Sequence, residues 1–263
     1  MAYSFYLSFT EWDFMRPDKE WVGLANYQRI LTHQEFRQVV WNTIYFGAGS
    51  MVLSLGLGLA LALVLNQKLR GLTWYRALIF SPWITPTVAA AIVWVWIYEP
   101  RVGLANWLLG AVGLSGIDWL GSRRWAMPAV ILFSVWKSMG YSMVYFLAGL
   151  QSIPEVLYEA AEIDGAGAWA RFRHVTLPLL SPMTFFLVVV SLIGALNAFD
   201  QIQVMTQGGP AGATRTILYY LYQYGFQFFE IGYASAVAVV LLLITLVLTL
   251  VQFRLSRSWV HYE

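Results

Sequence analysis

Hydrophobic and polar positions alternate along this chain in long blocks rather than with a short amphipathic period. Crossing the hydrocarbon layer of a bilayer takes about 20 consecutive apolar residues, and five stretches reach that length. Val39 to Gln67 holds no ionisable side chain and is dense in Leu, Ala and Gly. Ala77 to Tyr98 is a second stretch, with Pro82 and Pro86 near its start. Those prolines free backbone carbonyls and kink a helix, which membranes tolerate only where protein or water satisfies the freed groups. Trp125 to Gln151 is interrupted by Lys137 alone, Met183 to Thr206 is uncharged until Asp200, and Ile231 to Phe253 carries no charge. The pattern predicts an all-α, polytopic bundle of five full spans.

Residues 1–10, MAYSFYLSFT, are apolar over half that length. They read as the last turns of a further helix or as a short interfacial anchor, and they lack the basic start and cleavage site of a signal peptide. Residues 11–38 form a polar segment outside the membrane, and 39–263 the membrane domain. Lys68, Arg70, Arg76, Arg254 and Arg257 crowd into the brief segments 67–76 and 254–263. Opposite loops, 11–38, 99–124 and 207–230, spread a similar total over more length and mix it with acids. By the positive-inside rule the first group is cytoplasmic, which places 152–182 and the C-terminus inside the cell.

Composition agrees and removes other classes. Of 263 residues 59% are hydrophobic and 11% charged, with mean hydropathy +0.61, against roughly 25% charged in soluble domains. A net charge of +2, scattered along the chain, gives no footprint for nucleic acid. His33, His174 and His261 are isolated and form no metal-ligand set, and there is no cysteine. Phosphate-loop, HExxH and GxSxG motifs are missing, so no catalytic site is expected in this polypeptide.

The segment 152–182 is the polar exception. Ser152 followed by Glu155 fits a capping box, with Pro154 in the first turn, and starts a short helix near Ile153 that runs through Glu159, Ala160 and Ala161. Asp164-Gly165 stops it, since Gly accepts positive φ. A second helix from about Ala166 presents Trp169, Phe172 and Thr176 at helical spacing and is expected to end before Pro178. Helices that lie on lipid usually carry basic polar faces. This one carries Glu155, Glu159, Glu162 and Asp164, which favours a protein partner over a lipid surface.

EAAEIDGAGAWARFRHVTLPLLSP, residues 159–182, closely resembles the EAA loop of ABC-importer permeases: E-A-A, then D-G-A, then a proline ending. WVGLANYQRIL (21–31), NTIYF (42–46), YRALIFSPWITPTVAAAIVWVWIY (75–98), GLAN (103–106), LAGLQSIPEVLYEAA (147–161) and FDQIQVMTQGGP (199–210) are also similar to that family. They point to its carbohydrate branch, the MalF or glycerol-3-phosphate permease type. The resemblance implies a type I importer permease without its own catalysis or cofactor. ATP and Mg would sit on the partner ATPase, present in two copies. A second permease subunit would complete a heterodimer, and an extracytoplasmic binding protein would deliver the solute in a bacterial or archaeal inner membrane. Such permeases usually have six helices, so the first is expected here only as its tail, from a misplaced start or a truncation. Glu159, Ala160, Ala161, Asp164, Gly165, Trp169, Phe172 and Pro178 would form the coupling helix.

Two groups are candidates for the solute pathway. Lys137 lies mid-span, where a lysine costs about 2.5–3.5 kcal/mol and must face protein, water or a counter-ion. Asp200 is one partner, offset by roughly 7–8 Å along the membrane normal; backbone carbonyls or snorkelling are the other. Asn197, Asp200 and Gln201, at i, i+3 and i+4, would share a helical face that either glues helices or lines a cavity. The resemblance favours the cavity, where amides and a carboxylate suit sugar hydroxyls. Trp136, Tyr141 and Tyr145 would stack on a sugar ring or pack among themselves. The alternative function is an ion-gradient transporter using Lys137 and Asp200, though no internal repeat supports it.

Overall fold

The computed structural model describes residues 2–13, 18–67 and 71–257. Helix α1 (Ala2–Leu7) leads into a short antiparallel hairpin, β1 (Thr10–Glu11) with β2 (Glu20–Trp21), followed by α2 (Ala25–Thr32). The membrane helices come next: α3 (Gln34–Leu65), α4 (Leu72–Ile84), α5 (Thr87–Ile97), a short α6 (Leu104–Ala111) and α7 (Ala126–Ser152). Two small helices, α8 (Glu155–Ile163) and α9 (Ala168–Arg171), continue through a π-helical turn (Phe172–Thr176) into α10 (Leu177–Leu179). The chain ends with α11 (Ser181–Leu196), α12 (Asp200–Met205), α13 (Ile217–Tyr222), a second π turn (Gln223–Gln227) and α14 (Ile231–Ser256).

Among the described residues α3, α7 and α14 are each long and apolar enough to cross a membrane, and two bent pairs bring the total to as many as five. The bent pairs are α4 with α5 and the 168–179 segment with α11, the latter at 62°, and two of the apolar blocks read from the sequence are broken. The stretch expected as one span at 77–98 is α4 and α5, which meet at 99°. Pro86, which has no N–H to donate, sits at the break beside an extended Thr85. The expected span 183–206 likewise stops at Leu196 and restarts at Asp200, where Phe199 leaves helical geometry (φ −132°, ψ −59°).

Two compact units alternate along the chain. One contains Met1–Ala48, Thr87–Phe133 and Ile193–Leu248. Its core is Ile30, Phe36, Val39, Tyr220 and Tyr233. Asn26 donates to the carbonyls of Ser8 and Thr10, both at 3.0 Å, tying α2 to the hairpin. The hairpin in turn caps α14, because the Trp12 carbonyl accepts from the amides of Ile231 (3.0 Å) and Gly232 (3.3 Å). Gly232 is required there, since any Cβ would collide with the Thr10 carbonyl.

The other unit contains Gly49–Pro86, Ser134–Leu192 and Thr249–Glu263, so the segments after α3, α7 and α14 fall within it. Ala62, Met143, Phe146, Leu180 and Leu187 fill its core. Ser54 bonds Ser138 at 2.7 Å, and a Cβ on Gly58 would stand 2.5 Å from Ser142 Cβ. Positions four apart on α3 thus meet positions four apart on α7 in the same order, so these helices run parallel along a small-residue seam. Arg76 donates to the Leu65 carbonyl at 2.7 Å, closing the C-terminus of α3. Lys68, Arg70 and His261 lie outside the described residues. The apolar faces that remain are broad: α14 buries only 22% of its most apolar window, leaving Leu246 and Leu250 for lipid or another subunit.

Candidate functional site

The acidic elbow differs from expectation at its start. Ser152 does not cap α8; it is the last residue of α7 and donates to the Gly149 carbonyl at 2.8 Å. Pro154 occupies the N-cap, where its ring has no side-chain acceptor to offer and its extended backbone (φ −60°, ψ 130°) sets the entry angle. The stop falls where the sequence puts it. Asp164 ends α8, its amide bonded back to Ala160, and Gly165 takes φ +80°. The second helix does not end before Pro178, which lies inside α10. In an α-helix the proline ring would crowd the carbonyl four residues back. The π turn widens the preceding backbone, with the Leu177 amide reaching the Phe172 carbonyl, and the helix continues.

This elbow is held together from within and open outward. Tyr158 hydroxyl meets the Thr176 hydroxyl at 3.1 Å, and Arg171 pairs with Glu162 at 3.0 Å. Ile153 and Leu180 root its two ends in the core. Glu159, Ala160, Asp164 and Gly165 are exposed, Ala161, Phe172 and Pro178 half-buried. Trp169 is 74% exposed and Ile163 87%. A large indole held in the open beside carboxylates and small alanines has the composition of a docking surface, in which aromatics anchor and small residues allow close approach.

On α7, Trp136, Lys137, Tyr141 and Tyr145 are all half-buried. Of the partners weighed for Lys137, the structure supplies backbone carbonyls: its ammonium donates to Pro82 (3.2 Å), Trp83 (3.3 Å) and Thr85 (2.6 Å). Tyr141 stacks on Trp83 at 4.3 Å and lies 4.6 Å from Tyr145, which in turn lies 5.1 Å from Phe186. Trp83 and Phe186 belong to this aromatic row although the sequence did not single them out; Trp83, one residue after Pro82, was the available signal.

Asn197, Asp200 and Gln201 do not form the helical stripe expected of them. Asn197 falls after α11 and returns its side-chain amide to Ile193 at 2.8 Å, while Asp200 opens the separate α12. The i, i+3, i+4 rule holds only within one helix, and the break at 197–199 voids it here. Gln207 and Gly208, both at positive φ, form the turn that closes α12. Asn106, the last residue of GLAN, was given no role from the sequence; its side chain donates to Pro100 and Ile117 and accepts from Ile117 and Trp119, fixing the segment 99–119.

Long and bent apolar helices with an exposed acidic elbow define a polytopic membrane protein. Residues 54–261 match the family described as binding-protein-dependent transport system inner membrane component, and the chain belongs to that family. It is 38% identical over 241 residues to the trehalose/maltose transport system permease protein MalF of Thermococcus litoralis, covering 92% of this chain and 81% of that one. It is 38% identical over 247 residues to the sn-glycerol-3-phosphate transport system permease protein UgpA of Yersinia pestis, covering 93% and 83%. Its fold is similar to the crystal structure of a bacterial ABC transporter involved in the import of the acidic polysaccharide alginate. The TM-score is 0.84 at 25% identity, over 98% of this chain and 89% of that one.

Proposed function

We propose that this chain is one of two membrane subunits of an ATP-binding-cassette importer for a sugar or sugar-like solute. A binding protein outside the membrane delivers the solute. Two copies of a separate ATPase drive the cycle, and the elbow carries their motion into the helices. One observation supports this above the others: the EAA elbow is tied within itself and exposed without, with Glu159, Ala160, Gly165 and Trp169 on its open face. The basic residues of 67–76 and 254–263 support a cytoplasmic elbow by the positive-inside rule. Neutral sugars rank above phosphates or polyanions, because the mid-span cation is already engaged by carbonyls. The same engagement argues against an ion relay through Lys137 and Asp200.

The test uses the complete importer in proteoliposomes. Glu159→Lys alters charge at an exposed position, and Gly165→Trp obstructs the elbow's tip. Each should abolish uptake and uncouple ATP hydrolysis while membrane insertion is unchanged. Normal uptake in both variants would remove the coupling role.

A further inference from the structure

The bend between α4 and α5 creates a polar deficit at a known place. In a continuous helix the Pro82 carbonyl accepts from the amide of residue 86, but residue 86 is proline and has none. The carbonyls of Trp83 and Thr85 lie at the same turn, where Thr85 is extended (φ −64°, ψ 134°). Within a membrane such groups must find donors in the protein. Lys137 donates to all three, and an ammonium carries three N–H groups, so its capacity is filled.

The neighbouring residues of α7 make this reach possible. Lys137, Gly140 and Tyr141 lie at i, i+3 and i+4, on one face. Any Cβ at Gly140 would run into the Ile79 carbonyl, so α7 meets α4 backbone to backbone there. Tyr141 covers Trp83 from the same face. The contact is antiparallel, with 140 beside 79 and 137 beside 82–85, which delivers the lysine to the broken end of α4.

We infer that Lys137 is a positioning residue matched to Pro86: its ammonium replaces the amide that the proline lacks and holds the turn at the end of α4. It acts through the backbone and not by contact with solute. The inference refines the importer reading by removing Lys137 from the solute-contacting set. Its test reads the turn itself, so it can fail while the importer reading stands.

The complete importer in lipid nanodiscs would carry Lys137→Met, Lys137→Arg, Pro86→Ala and the Lys137→Met/Pro86→Ala double variant. Hydrogen–deuterium exchange is followed in the 78–90 segment. Lys137→Met should raise exchange there about tenfold, the opening expected when the carbonyls of a broken helix end lose their shared donor. Lys137→Arg, which keeps donors, should stay within about twofold of the parent. With Pro86→Ala present, an amide is available, and Lys137→Met should change exchange by less than about threefold. Equal effects of Lys137→Met in both backgrounds, or none in either, would overturn the pairing. If Lys137→Met does not accumulate, membrane abundance reads the same cycle: recovery in the double variant supports the pairing, and no recovery overturns it.

Discussion

Arg29 and Glu230, 201 positions apart, meet as a forked ion pair, with both guanidinium arms on the two carboxylate oxygens. The guanidinium carbon also lies 4.2 Å from the Tyr233 ring centre and 5.5 Å from that of Tyr224. This one side chain ties α2 to the turn that starts α14. Burial alone would lower the Arg29 pKa, but the hydrogen bond and charge of Glu230 outweigh it and raise the value above its usual one.

A raised folded-state pKa contributes stability in full below the unfolded value and loses it only as pH rises through the folded one. The contribution of Arg29 is therefore flat between about pH 6 and about pH 9. Both side chains are 40% exposed, so the pair is discounted for screening. Arg29→Met should cost about 1 kcal/mol including the ring contacts, by the same amount at every pH in that window. Thermal unfolding of the detergent-purified complex checks this. A loss that grows steeply across the window would show that another group carries the effect.

Two glycines of α3 differ in what surrounds them. A Cβ at Gly58 would meet Ser142 at 2.5 Å and the Met143 amide nitrogen at 3.0 Å, whereas Gly56 has nothing within 4 Å. Gly58→Val should separate the parallel seam and cost about 3 kcal/mol, while Gly56→Ala should be neutral or slightly stabilising. Matched thermal midpoints of the two variants decide it. Similar losses in both would mean that the seam is not close-packed.

What the sequence made legible was set by local chemistry. Apolar runs must be helices in a bilayer, so α3, α7 and α14 followed directly. Asp164-Gly165 dictated its own turn. Pro86 announced the bend in α4–α5 but not its 99°, since a proline marks where a helix breaks and not how far it turns. The break at 197–199 carried no proline or glycine at the bend itself, so periodicity ran through it and falsely joined Asn197 to Asp200. Ser134, Ser138 and Ser142 recur every four positions, the small-residue spacing of a close helix seam. That spacing does not say which helix packs there, and the partner positions, Ser54 and Gly58, were hidden among the other small residues of α3.

Asn106 satisfies four groups at once: the Pro100 (2.9 Å) and Ile117 (2.8 Å) carbonyls, the Ile117 amide (3.0 Å) and the Trp119 indole (2.9 Å). An amide side chain can donate twice and accept twice, and no other residue of that size does both. Asn106→Ala should loosen the 99–119 segment by about 2 kcal/mol, part of the loss being recovered by water. Asn106→Asp should lose the donor half only. Limited proteolysis would show faster cleavage in that segment with the helices intact; unchanged cleavage in Asn106→Ala would mean the segment is fixed elsewhere.

The elbow's two internal ties predict opposite sensitivities. Arg171 and Glu162 are joined at 3.0 Å, but their side chains are 31% and 71% exposed, so the pair is worth at most about 0.5 kcal/mol. Tyr158 meets Thr176 at 3.1 Å, and Thr176, only 4% exposed, otherwise reaches just the Arg171 carbonyl at a long 3.5 Å, so losing the Tyr158 bond costs about 1 kcal/mol. If the elbow carries force as proposed, it must resist bending between its arms, and the uncharged tie is the stronger of the two. Tyr158→Phe should therefore lower solute imported per ATP hydrolysed in the reconstituted importer several-fold, while Glu162→Gln leaves that ratio within experimental scatter. The reverse order would mean that surface charge, and not the buried hydroxyl pair, keeps α8 fixed against the helix that follows it.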